Sequence, residues 1–269
     1  MQNLYKKYIA WRFPYYKKLF KYRYYLKNYI EALEANLKIS PIRLEFRRGY
    51  SFLFSNAAIC LQMFDDIFVC EVYKSSYLDK AKIVIDIGSS FGIFSIYALI
   101  RNQGAQIFSI EADPLVFKEF DDNINSNLLA EQIKTFNLAA NAKVGNDVLY
   151  SHKHIGWSSL FNAKGDRDVK QITVNTINLS TFCRENNITK IDFLKIDIES
   201  AEYDLILGDK NFFRVPIEAI VMEVDKNPRD IRYRFDDLIE CLSKHYRSVK
   251  ILSPGWKEYP LLRCTGFKG

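Results

Sequence analysis

The sequence predicts an α/β fold, a doubly wound and mostly parallel sheet preceded by a basic amphipathic N-terminal helix. Short apolar runs bounded by turn residues fall at 83–87, 106–111, 133–138, 191–197 and 219–224, the pattern of buried strands. Helical stretches near 91–102, 114–127, 178–187, 201–208 and 230–244 separate most of them. Such alternation builds a parallel sheet with its ligand crevice at the carboxyl ends of the strands. The charge distribution predicts the helix: residues 1–48 hold twelve Lys/Arg against three Asp/Glu, so they carry +9 and the rest of the chain −3.

At 269 residues, 48% hydrophobic and 26% charged, the chain can bury one sizeable core. No window approaches the run of about 20 apolar residues that spans a bilayer, and the N-terminus lacks a secretory pattern, so the expected location is cytoplasmic. Five scattered cysteines without a C-x-x-C pair suit reduced thiols. His152 and His154 alternate as solvated strand residues do, and no metal ligand set is assigned to them.

Composition shifts near residue 40, which divides a basic, aromatic-rich extension (1–40) from one domain (41–269). After Pro14, the residues Leu19, Tyr22, Leu26, Tyr29, Ile30, Leu33 and Leu37 fall at helical spacing, with Lys17, Lys18, Lys21 and Lys27 largely off that stripe. The favoured reading packs the stripe on the domain or on a second copy in a homo-oligomer. The competing one makes the basic face a peripheral contact with anionic lipid at the inner membrane face, or with glycan. Nucleic acid is disfavoured, because no RNP or helix-turn-helix pattern accompanies the basic residues. Within the domain, 42–46 and 51–55 form a hairpin, in an N-terminal region covering 42–78, and 66–78 leads the chain into a core spanning 83–253. Alternating residues in 148–176 predict an inserted or flanking antiparallel pair.

The most informative turn is Val84-Ile85-Asp86-Ile87-Gly88-Ser89-Ser90-Phe91-Gly92, which carries the first core strand into the first core helix. Gly88 permits a tight turn and close ligand approach, and Gly92 lets the helix pack near the strand. Its G-x-x-x-G spacing is neither the dinucleotide fingerprint nor a phosphate loop. Asp86 would repel phosphate and suits a cation. S-adenosylmethionine (SAM), with a sulfonium, an ammonium and no phosphate, meets that description. Glu111, at the end of the second strand, is placed to accept hydrogen bonds from ribose hydroxyls. A glycine turn and a solvated acidic strand end serving some other ligand is the competing reading.

"VIDIGSSFGIFSI", "IFSIEADP" followed by "NINSN", "GWSSL", and "IDFLKIDIESAEYDLILG" followed by "IVMEV" resemble the ordered motifs of the FkbM family of class I SAM-dependent methyltransferases, a Rossmann-like fold, over about residues 68–226. The resemblance places the cofactor turn on Asp86, Gly88 and Gly92, with Ser89, Ser90 and Phe91 between them. It places the ribose acid on Glu111 beside Ala112, and the adenine border on Asn137, Leu138 and Ala139. The family usually has glycine after the acidic pair of its fourth strand, where this chain has Ser200.

Methyl transfer to a hydroxyl needs an in-line acceptor and a base for its proton. Asp197 and Glu199 stand two apart at the end of the fourth strand, so a persisting strand puts them on one face with Lys195, and Glu202 follows on the next turn. Asp197 fits a base, a metal ligand or part of the cofactor site; Glu199 orients it or the substrate; Glu223 contributes from the fifth strand. These residues equally fit a structural ion-pair network, and their oxygens suit Mg2+. Gly156-Trp157-Ser158-Ser159 resembles the family's G-x-S-S element, facing the acceptor or capping local backbone. The leading expectation is an O-methyltransferase acting on a sugar, a glycan or a secondary metabolite. Its competitors are a non-catalytic module of the same fold that binds membrane or a protein partner, and a nucleotide-dependent oxidoreductase, which the glycine spacing disfavours.

Overall fold

The computed structural model describes residues 16–35, 40–152, 158–160, 169–226, 232–252 and 260–268. Elements α1 (16–25) and α2 (Tyr29–Ala35) lead into the hairpin β1 (Ile42–Glu45) and β2 (Ser51–Phe54), then α3 (Ala57–Phe64), which continues as a wide helical turn at Asp65–Val69. The Rossmann-like part follows: β3 (Ile83–Ile87), α4 (Ile93–Arg101), β4 (Gln106–Glu111), α5 (Pro114–Ser126) and β5 (Ile133–Asn137). An insert then contributes β6 (Ala139–Ala140), β7 (Gly145–His152), β8 (Ser158–Ser159) and β9 (Val169–Ile177). The chain closes with α6 (Leu179–Glu185), β10 (Phe193–Ile196), β11 (Ala219–Glu223), α7 (Phe235–His245), β12 (Tyr246–Leu252) and β13 (Leu261–Phe267).

The main sheet runs β12-β13-β11-β10-β3-β4-β5. Its β5, β4, β3, β10 and β11 are parallel, and β13 is antiparallel to both β11 and β12. The order reverses between β3 and β10, which opens a crevice at their carboxyl ends. Alternating side chains fill two layers. Val84 and Ile107 meet α3, α4 and α5 on one face, and Ile85, Phe108 and Leu194 meet α6 and α7 on the other. The insert forms a second sheet in the order β6-β9-β7-β8, with β7 and β9 antiparallel as expected for 148–176.

One expectation needs correction. The N-terminal stripe is not one helix: the chain breaks at residues 26–28, where Leu26 bridges Phe46 and Lys27 N donates to Glu45 O. Asn28 fixes the break by donating from Nδ2 to Arg43 O (2.7 Å) and accepting from Glu45 N (3.0 Å). A side chain that satisfies a neighbouring strand's backbone competes with helix continuation. Tyr22 and Leu26 are fully buried in the same core as α4, while Ile30 is exposed. Pro14 and Leu37 lie outside the described residues. Helix α3 falls in a stretch to which the sequence analysis assigns no element. Its N-cap Asn56 accepts from Ile59 N and satisfies one of the helix's orphan donors.

The basic face of α1 meets acidic residues that follow α3. Lys18 pairs with Asp65, and Lys21 with Glu71 at 3.1 Å. Among the described residues no helix is long and apolar enough to cross a membrane.

Candidate active site

A cavity of about 840 Å³ opens at the carboxyl ends of β3, β4, β10 and β11. One end is walled by Gly88, Ser90, Glu111, Ala112, Leu138 and Ala139. The other is walled by Asp197, Glu199 and Glu223, with Asp66 and Tyr73 from the segment after α3; Ser158 and Ser159 of β8 also line it.

Gly88 has φ +75°, and its amide donates to Ile110 O. Glu111 is buried, with both carboxyl oxygens held by backbone: Oε2 accepts from Ser90 N and Oε1 from Asp113 N, each at 2.8 Å. Burial outweighs these bonds and pushes its pKa up to about 7. Each oxygen keeps a further lone pair for a ligand hydroxyl.

Asp86 is not on the cavity wall. Strand register sets Asp86 beside Lys195 on one neighbour and Ser109 on the other, all beneath α4. Ser95 Oγ donates to Asp86 Oδ2 (2.6 Å), and Lys195 Nζ stands 3.2 Å from Asp86 Oδ1. Lys195 also donates to Gly88 O at 2.6 Å and lies 3.6 Å from Asp197 Oδ2. Burial opposes the Lys195 charge, but Asp86 and Asp197 more than restore it, and its pKa is raised. The Asp86 charge is therefore matched inside the fold, and the ammonium of Lys195 fastens the glycine turn to β10. Ser89, Phe91, Gly92 and Asn137 also stand off the cavity wall. Ser89 is buried, Phe91 meets Phe54 edge-on, and Gly92 opens α4 at φ +79° against Phe120. Asn137 donates to Glu111 O (2.9 Å) and Ala112 O (3.1 Å), so it shapes the loop that carries the acid.

At the other end β10 stops at Ile196, and the chain turns through Glu199 (φ +52°) and Ser200 (φ +74°). The shared strand face expected for Asp197 and Glu199 is thus broken by two left-handed residues. Ser200 adopts the backbone that glycine takes freely, and Ser200 Oγ donates to Asp225 Oδ2 at 3.2 Å. A non-glycine residue there carries strain, offset in part by the hydrogen bond to Asp225 that glycine would forfeit.

Tyr73, a residue the sequence reading passed over, donates its hydroxyl to Asp197 Oδ2 at 3.1 Å, and its ring lies 5.9 Å from Lys195 Nζ. Burial and the neighbouring carboxylates raise the phenol pKa, so it stays a donor. Asp197 thus keeps two matched partners. Glu223 has no hydrogen-bond or ion-pair partner among the described residues; burial, then Asp197 and Glu199, push its carboxyl up to about 8. Asp66 rises to about 6 through burial and the charges of Asp65 and Asp197. Glu202 is buried off the cavity wall, accepts from Asp225 N, and is pushed up to about 8, mainly by burial.

Carboxyls whose pKa is raised on folding bind protons that the unfolded chain has released. Stability from Asp66, Glu111, Glu202 and Glu223 is therefore full below about pH 4.5 and is lost as pH rises through about 6 to 8. Glu71 and Asp192, whose pKa values are lowered by Lys21, Lys74 and Lys190 and by backbone donors, act oppositely and lose their contribution in acid. The ligand-free protein is expected to melt a few degrees lower at pH 9 than at pH 6. A flat or rising profile over that window refutes the burial of these carboxyls.

The cavity's donor set fits SAM: six acidic side chains line it (Asp66, Glu111, Asp113, Asp197, Glu199, Glu223), among them the buried Glu111 for ribose, and a cationic ligand would favour ionisation of those whose pKa is raised. No cluster of three or more His, Cys, Asp or Glu side chains able to hold a metal ion is present among the described residues. His152's side chain and His154 lie outside them.

Strand order and crevice are those of the class I methyltransferase fold. The family model for the methyltransferase FkbM domain matches residues 86–248, and the chain belongs to that family. It is 23% identical to the AMB antimetabolite synthetase AmbE of Pseudomonas aeruginosa over 261 residues, covering 83% of this chain and 12% of that protein's length. It is 23% identical to Methyltransferase 1 of Beauveria bassiana over 208 residues, covering 71% of this chain and 82% of that one. The SAH-bound N-terminal domain of human METTL16 aligns with a TM-score of 0.44 at 12% identity, covering 78% of this chain and 69% of that one.

Proposed function

We propose that this methyltransferase is an O-methyltransferase acting on a hydroxyl of a sugar, a glycan or a secondary metabolite. The observation that carries the proposal is Glu223. It is a carboxyl at the cavity wall without a fixed partner, and it holds its proton up to about pH 8. A hydroxyl must shed a proton as it is methylated, and a carboxylate of raised proton affinity is suited to receive it. SAM supplies an electrophilic methyl group on its sulfonium. In this reading Glu111 holds the ribose end, the Gly88–Ser90 turn and Ala139 border the cofactor, Asp197 orients the acceptor while held by Tyr73 and Lys195, and Glu223 takes the proton. The partial match to an antimetabolite synthetase supports a secondary-metabolite acceptor.

We also infer that residues 16–35 of the extension serve as cover for the domain rather than as a membrane contact, since Tyr22 and Leu26 are core and Lys18 and Lys21 are paired. The test of function begins with calorimetric titration of S-adenosylhomocysteine (SAH) against NADH. Labelled SAM is then offered to a panel of sugars, glycolipids and hydroxylated metabolites. SAH binding and an alkali-stable methyl ether are expected. NADH binding in place of SAH, or methyl recovered on amines alone, overturns the proposal.

A further inference from the structure

Ser158 and Ser159 fill the two-residue strand β8, which pairs with β7 at the edge of the insert. Adjacent residues of a strand point to opposite sides, and here the two sides are the two ends of the active-site cavity. Ser158 Oγ donates to Asp113 Oδ2 at 3.0 Å, joining Ser151 Oγ, which donates to the same oxygen at 2.7 Å. Asp113 N is in turn bound to Glu111 Oε1, so this side fastens the loop of the ribose acid. Ser159, buried, donates to the backbone oxygen of Glu199 at 2.7 Å. Glu199 and Ser200 are the left-handed corner that follows Asp197, at φ +52° and +74°. Conformations of this kind persist only where surrounding contacts hold them.

We propose that Ser159 is a positioning residue for the catalytic carboxylates. Its hydroxyl holds the Glu199–Ser200 corner in its left-handed course, and together with Ser158 it ties that corner to the Glu111–Asp113 loop across the crevice. The insert thereby sets the geometry between the cofactor end and the proton-accepting end. This rests on the methyltransferase reading above for its meaning, though the corner itself can be measured without an acceptor.

The experiment is hydrogen exchange with mass spectrometry on the full chain, alone and saturated with SAH. Ser159→Ala is expected to raise exchange in peptides spanning 197–203 by about five- to tenfold, the loss of one buried hydrogen bond. Peptides spanning 111–116 should hold near the wild-type rate through Ser151. Ser159→Thr, which keeps a hydroxyl, restores protection. Ser200→Gly added to Ser159→Ala returns the corner to within about twofold of Ser200→Gly alone, because glycine needs no brace at positive φ. Wild-type exchange at the corner in Ser159→Ala, a uniform rise over the whole insert, or no suppression by Ser200→Gly overturns the proposal. Failure of the wild type to bind SAH overturns the cofactor reading instead, and the exchange rates of the ligand-free variants still decide whether Ser159 braces the corner. With an acceptor in hand, Ser159→Ala lowers kcat and leaves the KM for SAM unchanged; a rise in KM alone refutes the positioning role.

Discussion

Glu223→Gln is expected to lower methyl transfer by about 10²–10⁴-fold, the range for loss of a general base, with SAH affinity changed far less. The variant keeps the size of the side chain and removes its ability to take a proton. Since Glu223 sits at the end of β11 and is pushed up to about 8, the wild-type rate should climb as pH rises towards 8 and level off above it. The base works only when deprotonated, and that climbing limb should disappear in Glu223→Gln. Asp197→Asn provides the contrast: it strips Lys195 and Tyr73 of a partner, so it should destabilise the protein, whereas Glu223→Gln removes a carboxyl that is costly to ionise and should be as stable as the wild type or more so above about pH 8. Initial rates with labelled SAM across pH 6–9 check both. An unaltered pH limb in Glu223→Gln, or full turnover, removes Glu223 from the proton path; the carboxyl is then only a buried neighbour of Asp197.

Four of the five parallel strands, β3, β4, β10 and β11, were legible because they are buried on both faces and read as apolar runs between turns, whereas β5 at the sheet edge is half exposed. The bounds of β3 and β4 match the apolar runs to the residue. The segment from Ala57 to Val69 was not legible, since its apolar residues leave the period ambiguous between helix and strand; Asn56 as a cap was the one signal in it. The edge strand β12 and its neighbour β13 were missed as well. β12 is mostly half-buried or exposed and shows weak alternation. The acidic strand ends were visible as a set, but their partners were not. Asp86 reads as a ligand carboxylate until the register of β3 against β10 puts Lys195 beside it. Asp66 and Tyr73 join the cavity only through the fold of the segment after α3, and no local pattern announces a contact made across so much chain. Ser200 was visible as a departure from the family pattern, while the reason it matters, a positive φ, is a backbone property that the residue type conceals.

Gly88→Ala is expected to cost the protein about 4 kcal/mol or more, and the cause lies within the fold. Gly88 at the carboxyl end of β3 has φ +75°, and a Cβ there would stand 1.8 Å from the backbone oxygen of Asp197 and 2.9 Å from Ile198 Cγ2. The first of those neighbours is main chain at the end of β10 and has no rotamer to move to. Gly88 lines the cavity, as a ligand-facing turn would, but the space its Cβ would take is already filled by the chain just after β10, drawn close by Lys195 donating to Gly88 O. A side chain at Gly88 thus pries β3 from β10 at the switch point and displaces Asp197 with it. The melting temperature should fall by about 8–16 °C in the absence of any ligand, and SAH binding should fail in parallel. Loss of SAH affinity in a Gly88 variant therefore does not by itself report a ligand contact. Glu111→Gln is the cleaner probe of the cofactor end, because it keeps the side chain's shape and can retain one of its two backbone bonds. Thermal unfolding of ligand-free Gly88→Ala decides the matter: a variant that melts with the wild type yet no longer binds SAH would return Gly88 to the ligand and refute the packing account.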